Sequence, residues 1–249
     1  MARFGASGAR DYHRRRSLAL QRPVSFVDLL AAGRIPPVVL GTWIVMAILL
    51  LFGFAARAAL ARAADPMVPD QGITLRSIAE ALAEAMDGMV SYFLGGHGTR
   101  KFVPFFGSLF VFILAANLFG LIPGMEPPTS DSDLTFALGT ICFGYYIVQG
   151  FKTHGIGYLK HFLGPMLILT PLMLPIEIAD NLARPFSLGI RLFANMFADH
   201  QVMQLFTGLT YLIIPLAFYA LGLLVCVVQA AVFVLLAITY VRLAAVEHH

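Results

Sequence analysis

Between Pro175 and His200 the chain reads PIEIADNLARPFSLGIRLFANMFADH, which sets ionisable groups inside a stretch otherwise apolar enough to lie in a lipid bilayer. A charge at that depth costs several kcal/mol, about 2.5–3.5 on insertion scales, and such residues usually mark an ion or proton path. At about 100° per residue, Glu177, Asp180, Asn181, Arg184, Ser187, Arg191, Asn195 and Asp199 fall within an arc of roughly 120°. Leu188 and Leu192 intrude at its edge. The opposite arc carries Leu182, Phe186, Ile190, Phe193, Met196 and Phe197. The pattern predicts a helix with one wet face and another suited to lipid or a hydrophobic partner.

The rest of the chain belongs in the same surroundings. Hydrophobic residues make up 59% and charged residues 12%, an imbalance outside the range of soluble domains. An integral membrane protein is therefore expected, all-α because helices satisfy their own backbone groups in lipid. A net charge of +3 from scattered basic residues gives no footprint for nucleic acid. Cys142 and Cys226 sit in apolar runs without metal-like spacing and read as packed thiols.

Residues 1–35 form a basic N-terminal segment, and 36–249 a single membrane domain. The N-terminus, rich in arginine and poor in acid, has the composition of an organelle presequence, but Asp11 and the prolines beyond it favour a plain basic tail. Spans are expected at about 36–60, 102–123 and 134–151. Between the first two, 72–93 places Leu75, Ile78, Leu82, Met86, Met89 and Phe93 on one face and Arg76, Glu80, Glu84 and Asp87 on another. It reads as a helix on the membrane surface, or one packed on another protein. Arg100, Lys101, Lys152 and Lys160 flank the second and third spans, so those ends face the cytoplasm or its equivalent and the acidic loop GMEPPTSDSD faces outward. The N-terminal arginines conflict with that rule, since an odd number of spans separates them from Arg100.

Two long apolar runs, 162–214 and 215–245, exceed a hydrocarbon core of about 30 Å when written as helices of 1.5 Å rise. An inclined hairpin accommodates both lengths, with kinks available at Pro171, Pro175 and Pro185. The expected architecture is thus a polytopic all-α protein of about four to five membrane-embedded helices, one amphipathic surface helix and a long tilted C-terminal hairpin.

Within the stripe, Arg191 stands out as a guanidinium that keeps its charge at any ordinary pH. It can attract a mobile carboxylate on a partner while blocking proton leakage, or form a structural ion pair with Asp180, Glu177 or Asp199. Arg184 fits the structural pairing better. Glu177, Asp180, Asp199 and His200 can exchange protons, whereas Asn195, Ser187 and Gln229 can only hold water or orient a charged neighbour.

SLGIRLFANMFADH, preceded by PIEIADNLARPF and followed by VVQAAVFVLLAITY, closely resembles the a subunit of F-type ATP synthases, the membrane stator beside the rotating c-ring. The resemblance begins near Asn117 in NLFGLIPG and runs to the C-terminus. It implies two proton half-channels that do not meet, with Arg191 as the essential charge between them. Asn195, His200 and Gln229 would then lie near the inlet, Asn117 as a lesser inlet group, and Glu177 and Ser187 near the outlet. The implied partners are c-ring subunits, peripheral-stalk b-type subunits, other ATP synthase subunits and the lipid bilayer. No cofactor is implied. The implied location is an energy-transducing inner membrane, of a bacterial cell or an organelle.

Two positions depart from the family pattern. Where many relatives carry histidine or glutamate two turns before the glutamine, this chain has Gly222. Where bacterial relatives can have an aspartate after the NLF motif, it has Gly120. Asp199 with His200 is expected to take over the missing relay, and Asp199 and the terminal EHH look like chloroplast-type relatives. A stand-alone proton-coupled transporter is the competing reading, but it calls for an internal repeat, and the first half holds no counterpart of the stripe. An intramembrane enzyme would need an HExxH cluster or a nucleophile with its base, and a nucleotide site a GxxxxGK[ST] loop; the sequence has neither.

Overall fold

The computed structural model describes residues 36–62, 74–95, 99–155, 170–209 and 213–246. The regular elements among them are all helices. They are α1 (Pro37–Arg62), α2 (Leu75–Leu94), α3 (Val103–Phe119), α4 (Ser132–His154), α5 (Thr170–Leu209) and α6 (Ile213–Val246), with short 3₁₀ turns at Thr99–Phe102 and Pro128–Ser130. The basic N-terminal segment, Lys160, residues 162–169 and the terminal EHH lie outside the described residues.

Local chemistry accounts for several boundaries. The Thr74 hydroxyl accepts from the Ser77 amide while the Ser77 hydroxyl accepts from the Thr74 amide, a reciprocal cap on the start of α2. Gly95 ends that helix at φ 65°, a left-handed conformation that glycine adopts without penalty. Asp131 opens α4 by accepting from the Asp133 amide at 2.8 Å. The second span is shorter than the apolar run: α3 ends at Phe119 and the chain turns through Gly120, where an added Cβ would sit 2.5 Å from Pro127. Close packing of the acidic loop beneath α3 leaves no room there for a larger residue.

Among the described residues, four helical stretches are long and apolar enough to cross a bilayer: Val38–Ala61, Thr99–Phe119, Ser132–Thr153 and Leu216–Ala244. α5 carries the charged stripe and packs between α4 and α6. α2 covers its own apolar face, because Met86 and Val90 are buried in the core with α3 while Ile78 and Tyr92 stay exposed. The orientation of α1 also follows from packing. An added Cβ on Gly41, near its start, would lie 3.3 Å from Pro128 Cγ. α1 therefore begins at the acidic-loop end, as an odd number of crossings before Arg100 requires.

The core is drawn from every helix but α1. On α6, Ala230, Phe233, Val234, Ala237, Ile238, Val241 and Ala244 repeat at helical spacing and share one buried cluster with Phe106, Leu109, Phe110 and Ile113 of α3. Phe105 and Tyr145 stack with ring centroids 3.7 Å apart, tying α3 to α4. Val45 of α1 forms a smaller cluster with Ala116 and Phe119. Cys142 and Cys226 are buried free thiols, as packed cysteines should be.

The wet-face expectation for α5 needs correction. Asn181, Leu188, Leu192, Met196 and Met203 are the buried stripe, and it runs between the polar and apolar arcs. The two leucines read as intruders are thus the centre of the packed face. On one side of them Ser187 and Asn195 are exposed, and on the other so are Leu182, Phe186, Ile190 and Phe197. Glycines allow this seating: a Cβ on Gly139 would be 2.6 Å from the Pro185 carbonyl oxygen, and one on Gly189 would be 2.9 Å from the Phe136 ring.

Candidate functional site

α5 and α6 carry most of the polar groups and α3, α4 and the acidic loop complete them. Arg191, half-buried in the middle of α5, makes no ion pair or hydrogen bond with any described residue. Arg184, two turns earlier, is paired: its Nη2 lies 2.7 Å from Asp180 Oδ2, and its guanidinium sits 5.6 Å from the Tyr240 ring centroid. Among the described residues, one arginine of the stripe is thus neutralised and the other left open.

One turn above Arg191, the Asn195 amide donates to Gln229 Oε1 at 2.6 Å and joins α5 to α6. Gln229 is only 5% exposed, and its Nε2 has no partner in the described structure. A buried amide donor left open is costly unless water or a visiting group meets it. On the next turn Asp199 lies over α6, where a Cβ on Gly222 would come within 3.2 Å of its Oδ2. The carboxylate thus fills the space that the glycine leaves free. His200 Nε2 is 2.7 Å from Gln204 Nε2, and its Nδ1 is buried without a partner.

A cavity of about 470 Å³ opens beside His200 and Gln204. Glu126, Ser130, Asp131 and Ser132 line it from the acidic loop and the start of α4, and Phe193, Phe197, His200, Gln201 and Gln204 from α5. It joins the acidic end of the molecule to the histidine of the stripe. Asn117, 1% exposed, is not at its wall. Its Oδ1 accepts from the Thr129 hydroxyl at 2.7 Å, holding the Pro128–Ser130 turn beneath α3, and its Nδ2 makes a long 3.5 Å contact with the Cys226 carbonyl.

Toward the other end of α5, the buried Asn181 amide donates to the Glu177 carbonyl at 2.9 Å and lies 3.4 Å from Glu177 Oε1, while Tyr146 of α4 donates to Asn181 Oδ1. Ser187 is exposed between this cluster and Arg191. The structure thus gathers Asn195, Asp199, His200 and Gln229 above Arg191, leaves Glu177 well below it, and uses Asn117 to hold the Pro128–Ser130 turn. Thr129, Tyr146, Gln204 and the acidic residues of the cavity were not among the candidates from sequence. Only Gln204 had a local signal, four residues after His200 on one helix face.

The family model described as "ATP synthase A chain" matches residues 39–242. The protein named ATP synthase subunit a in Bdellovibrio bacteriovorus is 45% identical over 198 residues, 79% of this chain and 86% of that one. ATP synthase subunit a 3 of Pelobacter propionicus is 40% identical over 208 residues, 84% and 87% of the two chains. ATP synthase subunit a of Nitratidesulfovibrio vulgaris is 41% identical over 207 residues, 83% and 84%. With the match spanning all six helices, the chain belongs to the ATP synthase A chain family.

Proposed function

We propose that this chain is the proton-translocating stator subunit of an F-type ATP synthase Fo sector, with two half-channels that do not meet and Arg191 between them. The observation that carries the reading is Arg191 itself, a permanent cation, half-buried, with no counter-charge among the described residues. Burying a charge without a partner is expensive, so a carboxylate brought by another subunit is the natural complement. A ring of c subunits presenting that carboxylate in turn fits the role. The b-type stalk subunits and the remaining ATP synthase subunits are the other partners, in a bacterial cell inner membrane. ATP chemistry is assigned to those other subunits.

Protons enter from the acidic-loop end through the cavity at His200. The Asp199 carboxylate over Gly222 and the Asn195–Gln229 bridge lead from there toward Arg191, and the open Gln229 amide offers a place for water. After travelling with the ring, protons leave past Ser187 and Glu177. Arg191 keeps the two routes apart because a proton approaching a fixed positive charge is repelled, while a charged ring carboxylate is attracted. The test is Arg191→Ala in inner-membrane vesicles: the complex should assemble, and ATP synthesis driven by an imposed proton gradient should be lost. Synthesis at near the wild-type rate would overturn the assignment.

A further inference from the structure

We propose that Tyr146 and Asn181 are positioning residues that orient the Glu177 carboxyl for proton release, an inference that rests on Glu177 being an outlet group. Tyr146 is 2% and Asn181 7% exposed, and their side chains meet across the α4–α5 contact. The donor and acceptor roles can be worked out. The Glu177 carbonyl only accepts, so the NH₂ group of Asn181 must face it. Asn181 Oδ1 then faces Tyr146, whose hydroxyl must donate. The bonds run in one direction, from Tyr146 through Asn181 to Glu177, and the amide also lies 3.4 Å from Glu177 Oε1.

Packing alone does not call for this pair, since an apolar pair of similar volume would fill the α4–α5 contact without needing partners. What the polar pair adds is direction. It ties the first turns of α5 around a carboxyl to α4, a helix that carries no acidic group at that level. Arg184, the nearby cation, bonds Asp180 at 2.7 Å and also lies within electrostatic reach of Glu177, so the carboxyl has a charge beside it as well as the amide that orients it. A neutral amide can orient a carboxyl in either of its protonation states, as a group that receives and releases protons requires. Without the Tyr146 hydroxyl, Asn181 Oδ1 would be buried and unpaired, and the amide would be free to turn away from Glu177.

The test is a double-mutant cycle on the assembled ATP synthase in inverted vesicles, reading ATP-driven proton pumping, with the amount of assembled complex measured in parallel. Tyr146→Phe keeps the ring and its edge contact with Phe143, at 5.3 Å between centroids. It should slow pumping about fivefold, as loss of one buried hydrogen bond in a proton path can. On a Glu177→Gln background it should slow pumping no further. Asn181→Leu, run through the same cycle, should behave alike and gives a second reading if Tyr146→Phe assembles poorly. Wild-type pumping by both single variants beside a slow Glu177→Gln would overturn the positioning role alone. An equal loss with and without Glu177→Gln would overturn it too, because a packing defect persists whatever stands at 177. Wild-type pumping by Glu177→Gln itself would remove the outlet assignment, and the positioning role with it.

Discussion

Arg184 and Arg191 lie two turns apart on α5, and among the described residues only the first has its charge met by a carboxylate. The Arg184–Asp180 pair is local, four residues apart on one face of α5. Its use is to occupy a cation. Arg191→Lys should therefore fail as Arg191→Ala does, because an ammonium has a different reach and can lose its proton in an apolar site; proton-driven ATP synthesis is the assay. Gly222 and Asp199 share one space, with 3.2 Å between the virtual Cβ and Oδ2. Gly222→Leu should displace the carboxylate and slow turnover severalfold, whereas Asp199→Gly with Gly222→Glu, which returns a carboxylate from the opposite helix, should recover most of it. A double variant no better than Asp199→Gly alone would show that position, and not only charge, matters. Thr129→Val leaves Asn117 Oδ1 buried without its donor, at a cost of about 1–3 kcal/mol. Thermal unfolding of the purified complex should fall while Thr129→Ser stays close to the parent.

At the scale of elements, the helices were legible because apolar length alone predicts them. The observed Pro37–Arg62, Ser132–His154 and Ile213–Val246 depart from the expected spans by a few residues at most. The facing of α5 was not legible. Helical periodicity separates two environments, and this helix meets three: a packed core, an exposed polar side and an exposed apolar side. The packed stripe of Leu188, Leu192 and Met196 therefore fell between two arcs that the pattern treated as inside and outside. Of the candidate site, Arg191, Asn195, Asp199, His200 and Gln229 were proposed from their charge and motif, but their pairing was not legible. Asn195 meets Gln229 across 34 positions and Tyr146 meets Asn181 across 35, separations at which no local pattern survives. The α4–α5 seat gives a prediction of its own. A Cβ on Gly139 would strike the Pro185 backbone oxygen at 2.6 Å, and backbone cannot swing aside. Gly139→Leu should cost about 1–3 kcal/mol or more by overpacking and reduce the yield of assembled complex, while Gly144→Ala, with open space around its Cβ, should not.

The whole molecule is a bundle with one oversized hairpin. α5 has 40 residues and α6 has 34, about 60 and 51 Å of helix at 1.5 Å per residue. Neither fits upright within a hydrocarbon core of about 30 Å, and an inclined pair accommodates both lengths. Inclination lets one helix pass from the acidic-loop cavity at His200 to the Glu177 cluster, with Arg191 between the two. That separation of routes is the central claim, and proton leakage tests it most directly. In membrane vesicles stripped of the catalytic sector, passive proton flux under an imposed gradient should be higher through Arg191→Ala than through the parent, although the same variant makes no ATP in intact vesicles. Flux equal to the parent, with synthesis retained, would contradict an arginine that stands between two half-channels.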